Sequence, residues 1–377
     1  MQNGTHVAKE QPRLTLYIIL TTAFLSLLFL LSLSSSSSYH SSPPYTGSKP
    51  DPRLFPSSSK IASDISSLHR LPHLRILRRH PGSSSERDRL ALTVGDVPIF
   101  RAARNVDVVG RPDFAYRRGS SPMASTLHGA SILLRLSGAW DWFVDLSVDE
   151  YPLVTQDELL HILSHLPKDL NFVNHTSYIG WKESRRLKPV IVDPGLYLVE
   201  KTDMFFASQK RELPKAFKLF SGPSFSILSR SFIEHCVLGT DNFPRTLLMY
   251  LSNTPASLSN YFPTILCNSN LFKRPHHHQL DPKEFAEMVQ SGAAFARVSR
   301  FDDSVLDRID RELLGRAHGE VVPGGWCLGD SGDNRSLCSV WGDSGILRPG
   351  SGSERLERRI VELLSNDWFR LHQCISE

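Results

Sequence analysis

Three carboxylates, Asp145, Asp149 and Glu150, lie close together in the segment WDWFVDLSVDEYP. Carboxylates grouped in this way can hydrogen-bond the hydroxyls of a sugar or ribose, take a proton from a reacting hydroxyl, or hold a metal ion. The ordinary alternative is a solvated turn whose acids cap a following helix. No Asp-x-Asp triplet occurs in the chain. A divalent ion clamped on a nucleotide diphosphate needs convergent carboxylates of that kind, so a diphosphate here would have to be neutralised by arginine and lysine instead. His276, His277 and His278 are consecutive. Their side chains diverge, and no partner at helical i, i+4 spacing completes a zinc site, so no metal is expected. Trp181 and Lys182, with Glu183, suit contact with a pyranose, whose C–H groups pack on an aromatic face; burial of Trp181 in the core is an equal alternative. The turn Lys218 to Gly222 is small enough to bring backbone N–H groups to a ligand.

Those residues need elements to position them. Apolar positions at helical spacing predict a helix over Met123–Leu136, and the apolar run from Trp142 to Leu146 predicts a buried strand ending at the acidic turn. Thr155 with Glu158 three residues later forms a capping box that opens a helix to about Leu166. Further on, Phe205–Ala207 and Ser224–Leu228 read as short strands and Phe262–Cys267 as a short apolar run. Ser231–Val237, Pro282–Gln290 and Ser304–Leu314 read as helices. Strands alternating with helices predict an α/β layered domain with a mostly parallel sheet, whose ligands bind at the C-terminal ends of strands. Asp149 and Glu150 fall at such an end.

The chain has 377 residues, of which 40% are apolar and 22% charged, the composition of a folded globular protein. A formal charge of +4 is slight for this length and gives no support to nucleic-acid binding. Residues 15–33 carry no ionisable side chain except the Tyr17 phenol, and Lys9 and Arg13 precede them. The run is long enough for an uncleaved membrane anchor with its N-terminus in the cytosol; a cleaved signal peptide is the alternative, although the run exceeds the usual apolar length of one and no small-x-small pattern ends it cleanly. The expected order is a cytoplasmic tail (1–14), a transmembrane helix (15–33), a Ser/Pro-rich stalk (34–67) and a lumenal domain (68–377). A single-pass type II protein of the Golgi membrane fits that order, because the short span favours thinner bilayers. Asn174 and Asn334 head acceptor sequons. In an oxidising lumen the expected disulfides are Cys236–Cys267 and Cys327–Cys338, leaving Cys374 over.

The segments WDWFVDLSVDEYPLVTQDELL, GWKESRRLKPVIVDPGLY, AFKLFSGPSFSILSRSFIEHC, TDNFPRTLLMY and HGEVVPGGWC occur in this order. Together they resemble the plant β-glucuronosyltransferases of the core-2/I-branching N-acetylglucosaminyltransferase and xylosyltransferase family (glycosyltransferase family 14), over roughly residues 95–365. The resemblance implies a GT-A-like, Rossmann-type fold and an inverting transferase that needs no metal. It implies UDP-glucuronic acid or another UDP-sugar as donor, and galactan side chains of arabinogalactan proteins as acceptor. It places Asp149 and Glu150 at the donor-sugar or uridine edge, Arg297 near the phosphates, and Trp181 and Lys182 in the acceptor cleft. The family's base, a glutamate, falls on Ser259 within Ala256–Phe262, and a hydroxyl cannot take a proton at neutral pH as a carboxylate does. A family lysine becomes Val298, with Arg297 and Arg300 nearby. The family's opening nucleotide-binding strand, and a stretch between Phe272 and Pro275, have no counterpart here. An active transferase and a non-catalytic relative that binds glycan or pairs with an active transferase are both compatible with this pattern.

Overall fold

The computed structural model describes residues 115–146, 150–175, 181–197, 203–269, 285–297, 303–316 and 345–365. Shorter stretches add residues 179, 271–272, 322, 324–329, 340–343 and 374. The expected tail, anchor and stalk lie outside the described residues; among those described, no helix is long and apolar enough to cross a membrane.

Helix α1 (Ser121–Leu136) leads into β1 (Trp142–Asp145), β2 (Glu150–Pro152), α2 (Gln156–His165) and β3 (Phe172–Val173). Then follow α3 (Trp181–Leu187), the hairpin β4 (Pro189–Val192) and β5 (Phe205–Lys210), β6 (Ser226–Ser229), α4 (Arg230–Val237), α5 (Asn242–Leu251) and α6 (Leu258–Asn268). The remaining elements are α7 (Phe285–Ser291), β7 (Phe295–Arg297), α8 (Asp303–Arg308) running into a π-helical turn, β8 (Cys327–Gly329), β9 (Val340–Trp341) and α9 (Ser351–Leu364). The Phe262–Cys267 run thus lies inside a helix, α6, whose residues 260–266 are buried.

Side-chain alternation along the strands fixes the layers. Phe143, Val173 and Leu228 point to one face and pack with Met123 of α1, Phe232 of α4, Leu251 of α5 and Tyr261 of α6. Trp142, Val144, Phe172 and Ile227 point to the other and pack with Ile162 of α2 and Leu356 and Ile360 of α9. The result is a helix–sheet–helix sandwich, the layered α/β arrangement that the alternation of elements predicts.

The mostly parallel sheet is not found among the described residues. Every strand pairing among the described residues is antiparallel, and the central sheet has the order β1-β6-β3. Since β1 and β3 both pair antiparallel with β6, they run parallel to each other on either side of α2. What fills the slot between them is β6, which arrives from a distant part of the chain. Periodicity reports which residues are buried, not which partner arrives beside them.

Two caps show how long-range contacts define these helices. The capping box of α2 forms as expected, with the Glu158 carboxylate accepting from the Thr155 N–H at 2.8 Å and the Thr155 hydroxyl accepting from the Glu158 N–H at 3.3 Å. The other end of the same Glu158 carboxylate accepts from the Gly352 N–H at 2.8 Å, at the start of α9. Helix α1 lacks a local cap. The buried Asp193 carboxylate, from the β4 exit, accepts from the N–H groups of Ser120 and Ser121 at 2.8 and 2.7 Å, while its second oxygen accepts from the Gly195 N–H at 2.9 Å.

The disulfide expectation needs correction. Cys267, at the end of α6, is joined to Cys374, with their Cα atoms 5.4 Å apart. Cys236 on α4 is a free thiol whose burial pushes its pKa well up. Sequence proximity suggested Cys236–Cys267, but the two residues sit on separate helices of one apolar layer, and the bond closes a span of 107 residues instead. Cys327 is disulfide-bonded, as expected; Cys338 lies outside the described residues.

Candidate active site

The C-terminal ends of β1 and β3 and the N-terminal end of β6 share one edge of the central sheet, because Asp145 and Val173 both stand opposite Ser226. Directly opposed residues in antiparallel strands project to the same face. Asp145 and Ser226 therefore face the layer of α1 and α6. The Thr126 hydroxyl of α1 reaches both Asp145 carboxylate oxygens, at 3.5 and 3.4 Å. Burial pushes the Asp145 carboxyl up to about 7; the neighbouring Glu150 charge adds to the rise and the Thr126 hydroxyl opposes it. The Ser226 hydroxyl is buried and has no hydrogen-bond partner among the described residues.

Glu150 enters the same corner from β2, which pairs with β7 so that Glu150 stands opposite Arg297. The Glu150 carboxylate is enclosed, and an Arg297 Nη2 lies 3.9 Å from it. That contact is long for an ion pair. It leaves the rest of the Arg297 guanidinium for another anion, and its Nε is buried with no hydrogen-bond partner among the described residues. Alternation turns Tyr151 to the opposite side of this ribbon. There its hydroxyl donates to Asp310 at 2.8 Å and accepts from Arg316 at 3.0 Å, and Arg316 pairs with Asp310 at 2.9 Å. Asp310 belongs to the π-helical turn, so this buried network anchors the ribbon that carries Glu150 and Arg297. Asp149 lies outside the described residues.

Ser259 sits in the first turn of α6 and is tied to the same sheet edge. Its carbonyl accepts from the Gly222 N–H at 2.8 Å, just upstream of β6. Position 222 must be glycine, because a side chain there would run into the Asn174 carbonyl that follows β3. The Gly222 N–H is thus spent on α6 and does not face a ligand. Ala256 begins this turn with φ of +49°, a left-handed conformation uncommon for a residue with a side chain. Asn260 stabilises it by donating from its side-chain amide to the Ala256 carbonyl at 3.1 Å.

Trp181 lies on α3 with 65% of its surface exposed, so it is not a core residue. Lys182 and Arg185 stand 5.8 and 5.7 Å from its ring centre, giving an aromatic face flanked by positive charge. Among the described residues, no hydrogen bond, ion pair or ring contact links Trp181 or Lys182 to the corner formed by Asp145 and Glu150. Asn174 is half-buried directly after β3, whereas Asn334 and the three consecutive histidines lie outside the described residues. One group of described residues has the composition of a metal site, His175 with Cys267 and Cys374, and two of its three ligands are joined in the disulfide. The Gly324–Gly325 turn is built around the α2 capping region: the Asp157 carboxylate accepts from Gly325 N–H at 2.7 Å and Arg348 N–H at 2.8 Å.

The corner thus combines two carboxylates, a guanidinium with spare donors and a serine hydroxyl, all at one strand exit. Such a set can bind an anion through arginine and hold or deprotonate an alcohol through a carboxylate. Sequence reading found Asp145 and Glu150 from their grouping, and Arg297 through the family resemblance. It missed Ser226, since a lone serine in an apolar strand carries no signal until its opposite partner is known.

The profile of the Core-2/I-Branching enzyme family matches residues 80–280. The chain is 47% identical over 309 residues to the beta-glucuronosyltransferase GlcAT14A of Arabidopsis thaliana, covering 78% of this chain and 69% of that protein. It is likewise 47% identical over 312 residues to GlcAT14B of the same plant, covering 77% and 71%, and 43% identical over 286 residues to GlcAT14C, covering 72% and 70%.

Proposed function

The chain belongs to the Core-2/I-Branching enzyme family of glycosyltransferases, and from that premise we propose that it transfers glucuronic acid from UDP-glucuronic acid to galactan side chains of arabinogalactan proteins. The observation that carries the reading is the match to relatives named beta-glucuronosyltransferases along most of both chains. The acceptor hydroxyl oxygen forms a bond to the anomeric carbon of the donor sugar, the bond from that carbon to the β-phosphate oxygen breaks, and UDP leaves with inversion. Arg297 binds the diphosphate and balances the charge that grows on it, in place of a divalent ion. Glu150 steers the guanidinium and, with Asp149, meets the donor sugar or uridine. Trp181 and Lys182 receive the galactan, the indole against sugar C–H groups and the ammonium toward its hydroxyls. The enzyme works in the Golgi lumen, tethered through residues 15–33 as a type II protein.

Incubating the purified lumenal domain with UDP-glucuronic acid and β-linked galacto-oligosaccharides tests this. A product heavier by one glucuronosyl residue is expected, and no turnover with any UDP-sugar would overturn the catalytic reading.

Ser259 favours a second reading. With a hydroxyl at the family's base position, the chain is a non-catalytic relative that binds galactan or pairs with an active transferase. This version expects co-purification with a related transferase and no activity in the isolated protein.

A further inference from the structure

We propose that the Asp145 carboxylate is the general base that removes the proton from the acceptor hydroxyl, with the Ser226 hydroxyl orienting that alcohol. The proposal rests on the transferase reading above and answers the difficulty that Ser259 raises for it.

The geometry singles out Asp145 among the carboxylates of the corner. Glu150 is enclosed and faces Arg297 across the β2–β7 ribbon, so its charge is committed to a cation. Among the described residues no ion pair links Asp145 to a cation. Its hydrogen bonds from Thr126 are long, at 3.5 and 3.4 Å, and leave its lone pairs largely unspent. Opposite it, Ser226 is buried on the same sheet face, its hydroxyl without a hydrogen-bond partner among the described residues. A buried hydroxyl without a partner costs about 1–3 kcal/mol, so its persistence points to a hydrogen-bonding group that completes the site. A pyranose hydroxyl fits: it donates its proton to Asp145 and accepts from Ser226. Both side chains face the layer containing α6, whose first turn holds Ser259 and is fastened to this sheet edge through Gly222.

The electrostatics agree with the role. A general base works best when its pKa lies near the working pH, and burial beside Glu150 brings Asp145 to about 7. Among the described residues the charged group acting on Asp145 is Glu150 from β2, with Arg297 of β7 beyond it, while α1 contributes the uncharged Thr126. In the reaction the new bond joins the acceptor oxygen to the anomeric carbon, the bond to the phosphate oxygen breaks, the electron pair leaves with UDP, and the acceptor proton moves to a carboxylate oxygen of Asp145.

The test compares the wild-type lumenal domain with Asp145→Asn, Ser226→Ala and Ser259→Glu, using UDP-glucuronic acid and a β-linked galacto-oligosaccharide. For the wild type, kcat/KM should fall on the acid side with an apparent pKa near 7. Asp145→Asn should lower kcat at least 100-fold, abolish that acidic limb and leave UDP affinity by calorimetry within threefold. Ser226→Ala should raise the acceptor KM about tenfold with UDP affinity unchanged. If Asp145→Asn fails to fold, the wild-type limb and the Ser226→Ala result decide. An active wild type with no limb near pH 7, or an Asp145→Asn variant that keeps a third of its kcat, overturns the proposal and leaves the transferase reading standing. An inactive wild type rescued by Ser259→Glu overturns it too, since the Asp145 carboxylate would then be insufficient. No turnover in either protein removes the proposal and the catalytic reading together.

Discussion

Asp145 is ionised in the unfolded chain at a pH where the folded protein resists its ionisation, and this ties stability to pH. Its folded pKa is raised from the ordinary 3.8 to about 7. The stability is therefore fully present below about pH 4 and is lost as pH rises through 7, by on the order of a few kcal/mol. Asp145→Asn removes the titration. Thermal melts should show the variant gaining on the wild type from about pH 4 upward, with the Tm gap levelling off above pH 7; a gap that does not change with pH would mean that Asp145 ionises freely. In the proposed function Arg297 binds the donor at the same corner. Its replacement by alanine should weaken UDP binding by about 10–100-fold in calorimetry, the range expected for loss of a charge-assisted contact, and should also lower the Tm, because the enclosed Glu150 carboxylate loses the cation that faces it. Asp145 was legible in the sequence because charge at the end of an apolar run is conspicuous, whereas Arg297 was singled out only by the family resemblance. Ser226 was not legible, because its meaning depends on standing opposite Asp145, which is a fact of register and not of residue type.

Elements show the same division between local and distant causes. The α2 cap was legible because Thr155 and Glu158 belong to one turn, whereas the cap of α1 comes from Asp193 beyond β4. Three backbone N–H groups depend on that one buried carboxylate. Asp193→Ala leaves them without partners, and equilibrium urea unfolding should register a loss of about 3 kcal/mol or more, from about 1–3 kcal/mol per stranded buried donor. Asp193→Asn keeps a carbonyl oxygen and should lose roughly half as much. Equal losses for the two would show that charge, not acceptor number, secures α1. The antiparallel placing of β6 escaped the sequence for the same kind of reason: β1 and α2 read from local pattern, β3 is two residues long and was not read, and the strand between β1 and β3 comes from beyond the β4–β5 hairpin.

At the scale of the molecule, the bond between Cys267 and Cys374 joins the end of α6 to the C-terminal segment beyond α9, and so ties the helix layer of one sheet face to the chain leaving the other. Cysteine spacing could not reveal it, since the partners are 107 residues apart and Cys236 offers a nearer thiol. A loop of that length restricts the unfolded chain strongly, and the chain-entropy account assigns such a link about 4–5 kcal/mol. Cys374→Ser should therefore lower the Tm markedly, whereas Cys236→Ser exchanges one buried thiol for a hydroxyl of similar size and should cost about 1–3 kcal/mol through desolvation of the polar group. Alkylation followed by peptide mapping separates the two pairings directly. In denaturant without reductant, Cys236 should be modified while Cys267 and Cys374 stay protected until a dithiol is added. Protection of Cys236 under those conditions, with Cys374 modified, would restore the pairing that sequence proximity favours and leave α6 without its link to the C-terminal segment. The position of Ser259 at the sheet edge would then rest on the hydrogen bond to Gly222 and on apolar packing alone.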